Sequence, residues 1–459
     1  MAIKRKDGEP QPGLRWGMFT TRIPGIHVNL SLPEIIQGGL LTTATGGVVA
    51  ALTMNFFNVP FDVAWSIVLI QLFWLWFVPV VLLGEPYAPG WITAALPLVI
   101  VFLSGFEPGL PAIHAMIALT VCLSAIFLFF AVTGLGSAFF KWIPVELRAA
   151  IIFAGAIAAF TSEFDRLETM PITLPVVWGV VIFLMFSIWF GYAKKKNKAF
   201  NFIASMALLV GFLVAAVVGP ITGELSFDIK WGLHIPQIGE YVASVSPFFV
   251  GWPSWDLYVQ AFPLAVMIYI FVFGDLVLAT TLLDEANSAR PDEKIEMDNT
   301  RSHIILAIRN IGQLLSAGPF IAMHGPVWTG VQVFMVERYK AGRKNLDSIF
   351  TATFNWYWPA FLLIFLVPVV TFMQPLLPVA LSITLILTGF ACAYISISMV
   401  KTPASQGYAF FVGMLIAKFG PAWGLGLGVL LYFMLLVRYV PGIMENPDAP
   451  VKKAESGAE

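Results

Sequence analysis

The chain has 459 residues and a formal net charge of -1; 58% of its residues are hydrophobic and 12% charged. A soluble core of this size would carry far more charge, and the apolar runs are too long for the alternating strands of a membrane barrel, so the chain reads as a polytopic helical membrane protein. Two isolated cysteines, Cys122 and Cys392, lie inside apolar stretches and suggest neither a disulfide framework nor a metal site. A charge balance this close to zero names no partner beyond the lipid bilayer and gives no sign of nucleic-acid binding.

The first 30 residues hold Lys4, Arg5 and Lys6 but no apolar core followed by a cleavage site, so 1–30 is expected to be a cytoplasmic tail rather than a cleaved signal. Apolar spans are then predicted at 33–56, 62–83, 84–104, 111–134, 147–163, 172–192, 199–220, 257–283, 302–317, 319–337, 347–372, 376–399, 404–419 and 421–440. Basic residues concentrate in short cytoplasmic loops. With both termini inside, Lys141, Arg148, Lys194–Lys195–Lys196, Lys198, the Arg290 to Arg301 loop, the Arg338 to Lys344 loop and Lys401 all fall on the cytoplasmic side. The stretch 221–256 carries Glu224, Asp228, Glu240 and Asp256 against Lys230 alone, and falls outside. Seven spans precede it and seven follow, so the halves have opposite orientations and the expected fold is all-α, a 7+7 inverted repeat.

The third span of each half is interrupted. Gly84–Ser104 and Gly318–Glu337 each begin with glycines and prolines, and the part able to form regular helix, from about Gly90 and from about Val327, falls short of the roughly 20 residues a membrane crossing needs. Non-helical backbone at membrane depth is tolerated only where it is buried in protein or lines a cavity, and paired broken segments mark binding sites in secondary transporters. Two helix amino termini converging at mid-membrane would present unpaired N–H groups and partial positive charge to an anion or an electron-rich ring. Pro89 with Gly90, and Gly325 with Pro326, suit first helical turns and close backbone approach. The alternative is a pair of ordinary kinks.

Several motifs carry a resemblance. They are F-G-D-L-V-L-A-T-T-L-L (Phe273 to Leu283), I-R-N-I-G-Q-L-L-S-A-G-P (Ile308 to Pro319), H-G-P-V-W-T-G (His324 to Gly330), P-E-I-I-Q-G-G (Pro33 to Gly39) and W-I-P-V-E-L-R (Trp142 to Arg148). Together they resemble the nucleobase permease superfamily of xanthine/uracil and adenine/guanine/hypoxanthine permeases, which shares its fold with sulfate permeases. The resemblance implies a core domain of 31–134 (spans 1–4) and 257–372 (spans 8–11), and a gate domain of 135–220 (spans 5–7) and 373–440 (spans 12–14). The loop 221–256 and a cytoplasmic tail, 441–459, complete the chain. It also implies substrate held between the domains, pairing into a homodimer through the gate, and an acidic residue on span 8 that bonds the base, a place matched by Asp275. The family's second acidic position is Gly325 here, beside His324, and no carboxylate follows until Glu337; sulfate-type members lack that carboxylate too.

Among individual residues, Asp275 is the only acid between Leu257 and Leu283, and an ionisable group inside a membrane is costly without a cavity or partner. It is a candidate for substrate binding and for coupling to H⁺ or Na⁺, or else a carboxyl that reaches interfacial water. His324 can bind substrate, carry a proton or bond a neighbouring carbonyl. Trp91 and Trp328 follow the breaks and can stack on a planar ligand or simply pack. Gln37, with Thr42 and Thr43, lines the site or ties helices together. Glu163 is expected at the outer interface. Scattered histidines and the lack of a nucleophile, cofactor or Walker-type motif speak against an enzyme, resident cofactors and direct ATP coupling. The chain thus reads as a secondary permease in a bacterial inner membrane. Its expected substrate is a purine or pyrimidine nucleobase, with a sulfate-permease-like transporter or channel for a small anion as the alternative.

Overall fold

The computed structural model describes residues 3, 5–136, 143–340, 342–436, 438–440 and 443–445. Lys4, Lys141, Trp142 and most of the carboxyl-terminal tail lie outside these. The described residues are mostly helical, and each of the fourteen predicted stretches holds a helix or a chain of short ones. Among the described residues six helices are long and apolar enough to cross a membrane: Leu32–Phe57, Phe61–Leu82, Leu110–Thr133, Val145–Thr169, Trp255–Leu276 and Val367–Met399. A seventh arises if Lys198–Ala204 and Leu209–Thr222, bent by 76°, are one span. The expected count of fourteen is therefore not reproduced by length and apolarity. Several stretches are half-length or broken, as Thr93–Leu103, Thr173–Phe186 and Ala422–Leu435 are.

Local sequence explains these outlines. The first helix, Leu32–Phe57, has Pro33 at its start and Glu34 in its first turn, and ends on Asn58 in the left-handed conformation. A Cβ added at its Gly38 would lie 2.3 Å from the Trp356 carbonyl oxygen, so only glycine permits the backbone contact with Ile349–Tyr357. Thr42 bonds that same Trp356 carbonyl at 3.4 Å, while Thr43 bonds Gly39 one turn back; both threonines serve packing. The second span opens into a π-helical stretch, Phe73–Leu82, around Pro79. Proline has no N–H to donate, and the Trp74 carbonyl five residues earlier bonds elsewhere.

Val145–Thr161 packs between Leu377–Met399 and Pro403–Phe419, whereas Leu110–Thr133 packs on Trp255–Ala289 and Asn299–Ala317. The eleventh stretch ends earlier than its apolar run suggests. Leu366 pairs with Leu233 of the acidic loop, and the chain then runs on as helix from Val367 to Met399. Glu163, expected at the interface, is 1% exposed and pairs with Arg166. Ser382, which interacts with Glu163, also accepts from the Trp178 indole at 2.8 Å.

The segment read as a tail is folded. Leu14–Trp16 and Phe19–Thr21 form a hairpin, Arg22 N donates to Val81 O at 2.8 Å, and the Arg22 guanidinium lies 3.8 Å from the centroid of the Phe350 ring. Arg5 is fully buried, 2.9 Å from Asp292 and 3.6 Å from the equally buried Glu293. Burial pushes the Glu293 carboxyl up, opposed by Arg5. Asp292 is held down to about 2, chiefly by its hydrogen bond from Arg290. A carboxyl depressed in the folded state contributes stability above its ordinary pKa of about 3.9 and loses it as pH falls toward the depressed value. Removing Arg5 strands a buried carboxylate. Arg5→Ala should therefore cost about 3–5 kcal/mol of stability at neutral pH, read by thermal unfolding in detergent. An unchanged Tm would show that the strap is held by its backbone contacts alone.

Candidate functional site

The two interrupted segments meet in the interior. Gly90–Trp91 runs antiparallel to His324–Gly325, with Gly90 opposite Gly325 and Trp91 opposite His324. Each strand leads into a half-length helix, Thr93–Leu103 and Thr329–Lys340. Both helices start two to three residues later than expected. The reason lies in the backbone: Ile92 N donates to Ala322 O at 3.2 Å and Trp328 N to Ala88 O at 2.7 Å, and these bonds keep the arms extended. Pro89 and Pro326 consequently sit in the arms, and it is Pro97 that occupies a first helical turn. In the first half-helix Ala95 N already bonds Ile92 O at 3.1 Å, and in the second Gln332 N bonds Trp328 O at 2.9 Å; the N–H groups before these are the ones a helix start leaves without an intrahelical carbonyl.

Close approach is what the two glycines supply. A Cβ at Gly90 would lie 2.6 Å from Trp328 N and from the Val327 carbonyl. At Gly325 it would lie 3.1 Å from the Trp91 carbonyl. Any side chain at either place pushes the strands apart.

The crossing is held by polar side chains from neighbouring helices. Arg309, 1% exposed on Asn299–Ala317, donates from Nη1 to Gly325 O at 2.6 Å, from Nη2 to Gly90 O at 3.2 Å and from Nε to Trp74 O at 3.2 Å. Trp74 O is the carbonyl displaced by the Pro79 π-turn. Asn310 brackets His324, donating to its carbonyl and accepting from its N–H, both at 2.9 Å. Tyr357 donates to Pro89 O at 2.7 Å, and Gln332, in the opening turn of the second half-helix, accepts from Ala88 N at 2.6 Å.

His324 is fully buried, its ring stacked obliquely near Phe320. Nδ1 lies 3.3 Å from Arg309 Nη2 and Nε2 lies 2.5 Å from Gln313 Oε1. Arginine only donates, so Nδ1 accepts, and Nε2 carries the proton given to Gln313. The imidazole is a neutral strut with both nitrogens engaged by protein.

The remaining candidates divide. Trp91 and Trp328 flank the crossing and are part-exposed, Trp91 standing edge-on to Phe320 at 6.1 Å. Asp275 is part-exposed on Trp255–Ala289, within electrostatic reach of Cys392 on Leu377–Met399, and no described residue hydrogen-bonds or ion-pairs with it. Gly155 of the fifth span in turn neighbours both Cys392 and the Ala94 carbonyl at the opening of the first half-helix. Gln37 is not part of the crossing. It lines a small cleft with Leu41, Met206, Leu209 and Trp356. Sequence reading missed Arg309, Asn310, Gln313, Gln332 and Tyr357. A signal existed: Arg309 and Gln313 stand at i, i+4 within a predicted span, where polar groups rarely lack a purpose.

No protein-family model matches the chain, and no curated protein matches it. Solved structures do. One, described as the overall structure of SLC26A9, is 13% identical over 88% of this chain and 65% of its own, with a TM-score of 0.52. Another is murine Solute Carrier 26 family member A9, an anion transporter in the inward-facing state, with 13% identity, 91% and 72% coverage and a TM-score of 0.50. A third is the transmembrane domain of a cyanobacterium bicarbonate transporter, BicA, with 13% identity, 87% and 97% coverage and a TM-score of 0.48. The chain spans about two thirds of the first structure's length. At this identity the likeness concerns architecture, and it gives the chain the helical membrane fold of the solute carrier 26 transporters.

Proposed function

We propose that the protein is a secondary transporter of a small anion. One observation carries this reading: two half-helices lead out of a single strand crossing, so two helix amino termini with their positive dipole ends serve one place. The absence of a carboxylate at Gly325 favours an anion over a nucleobase, since a base recognised through its N–H groups needs acceptors. The architecture shared with an anion transporter supports the same choice. In this reading spans 1–4 and 8–11 form the moving core, spans 5–7 and 12–14 the gate, and Asp275 at their junction binds the coupling H⁺ or Na⁺. Purified protein in liposomes should take up bicarbonate, chloride or sulfate and should be thermally stabilised by at least one of them. Stabilisation by uracil or xanthine with no response to any anion would replace this reading with the nucleobase one, in which Trp91 and Trp328 stack on the ring.

Orientation follows from the basic loops. Single cysteines introduced at 221–256, in a background lacking Cys122 and Cys392, should react with an impermeant reagent from outside, and those at 194–198 should not. The reverse pattern would invert the topology.

A further inference from the structure

We infer that Arg309 is a fixed cation that makes the strand crossing selective for anions, acting from the protein side without touching the solute. The inference rests on the proposed function and adds to it the source of the charge. All the acceptors of Arg309 are neutral: the carbonyls of Gly325, Gly90 and Trp74, and His324 Nδ1. Among the described residues no carboxylate lies within ion-pairing distance of it. A guanidinium cannot shed its proton in a protein, so a positive charge stays at the crossing; the buried Glu85 lies within electrostatic reach but beyond ion-pairing distance, and it is already paired with Arg301 at 3.8 Å. In a dry interior that charge acts over distance far more strongly than it would in water.

A second observation points the same way. The Nε2 amides of Gln313 and Gln332 are buried donors with no acceptor among the described residues. Both side chains are oriented by their other end, Gln313 Oε1 on His324 and Gln332 Oε1 on the Ala88 N–H, so neither amide can turn round to relieve the deficit. With Glu85 set against Arg301, the shell of side chains that contact the crossing leaves two donors without acceptors and the Arg309 charge without an ion-pair partner among the described residues. Such a shell favours an electron-rich, negatively charged solute and disfavours a cation or a neutral donor.

Reversing the usual placement of charge has a consequence. An arginine facing the solute would bond it directly and discriminate by shape, as a bidentate fork does. One locked behind the backbone offers no hydrogen bond to the solute and contributes only its field. Selection at this site should accordingly follow charge more than shape, and halide and small monovalent oxyanions should both be accepted.

The test uses the full-length protein in liposomes and detergent, with chloride, nitrate and bicarbonate as anion probes and uracil as the neutral one. Arg309→Gln should weaken anion binding by more than about tenfold, whereas Arg309→Lys should restore most of it. Gln313→Glu keeps Arg309 and its backbone bonds while adding a carboxylate to the His324 network. It should also lower anion affinity by about tenfold or more, and it decides the matter if Arg309→Gln does not fold. Because each variant's anion response is compared at equal unliganded Tm, with uracil as the neutral probe expected to give none, a general loss of packing does not mimic the effect. If wild type moves an anion and Gln313→Glu binds it equally well at equal Tm, the role of Arg309 is refuted while the transport reading stands. If wild type responds to no anion, the transport reading falls first.

Discussion

Gly90→Val is expected to destroy the folded protein rather than merely block its site. The added Cβ would meet the Val327 carbonyl and Trp328 N at 2.6 Å, and these are backbone atoms of the opposing arm that no rotamer change can move. Separating the arms breaks the Trp328 N to Ala88 O bond and draws Gly90 O away from Arg309, leaving buried donors unpaired. Overpacking alone costs about 1–3 kcal/mol, and each stranded donor adds about 1–3 more, so the total should exceed the margin of a marginally stable fold. Gly325→Val has more room at 3.1 Å and should be less severe. Gly179→Val meets nothing within 4 Å and should be silent. The check is thermal unfolding and monodispersity in detergent. A Gly90→Val protein with a wild-type Tm would mean that the strands do not meet as described.

Asp275→Asn should reduce coupled uptake by at least about tenfold, equivalent to about 1.4 kcal/mol of barrier, and should flatten its dependence on pH or sodium. The carboxyl is part-exposed inside a long apolar helix and has no described partner, while Cys392 of the twelfth span lies within its electrostatic reach. Retaining a group of that kind in a membrane is costly, and a coupling ion would offset the cost in one state of the cycle. Asparagine keeps the shape and removes the charge. Asp275→Glu should keep part of the coupling, which separates a charge requirement from a packing one. Unchanged uptake and unchanged ion dependence in Asp275→Asn, at equal membrane expression, would leave the carboxyl as an interfacial group.

What the sequence determined by itself is the class of the molecule and the place of its interruptions. Apolar runs demand helices because a bilayer offers no partner for an open backbone. Gly84–Pro89 and Gly318–Pro326 cannot be regular helix, and the spacing of those two segments within each half predicted that they belong together. They do: Gly90 faces Gly325. The nature of the join was not legible, because two-residue strands leave no periodicity to read, so the helices were expected to begin at about Gly90 and Val327 rather than at Thr93 and Thr329. Nor was the division of labour among the polar residues. His324 and Arg309 look alike in sequence as polar groups within apolar spans, and only the packing of Asn299–Ala317 against both arms makes the one a neutral strut and the other a buried charge. The strap at 5–30 was hidden for the same reason. Its basic residues match a solvated cytoplasmic tail equally well, and only Asp292 and Glu293, nearly 290 residues away in sequence, turn Arg5 into a buried anchor. Local pattern registers where the backbone must be satisfied; which distant partner satisfies a side chain is a property of the assembled helices.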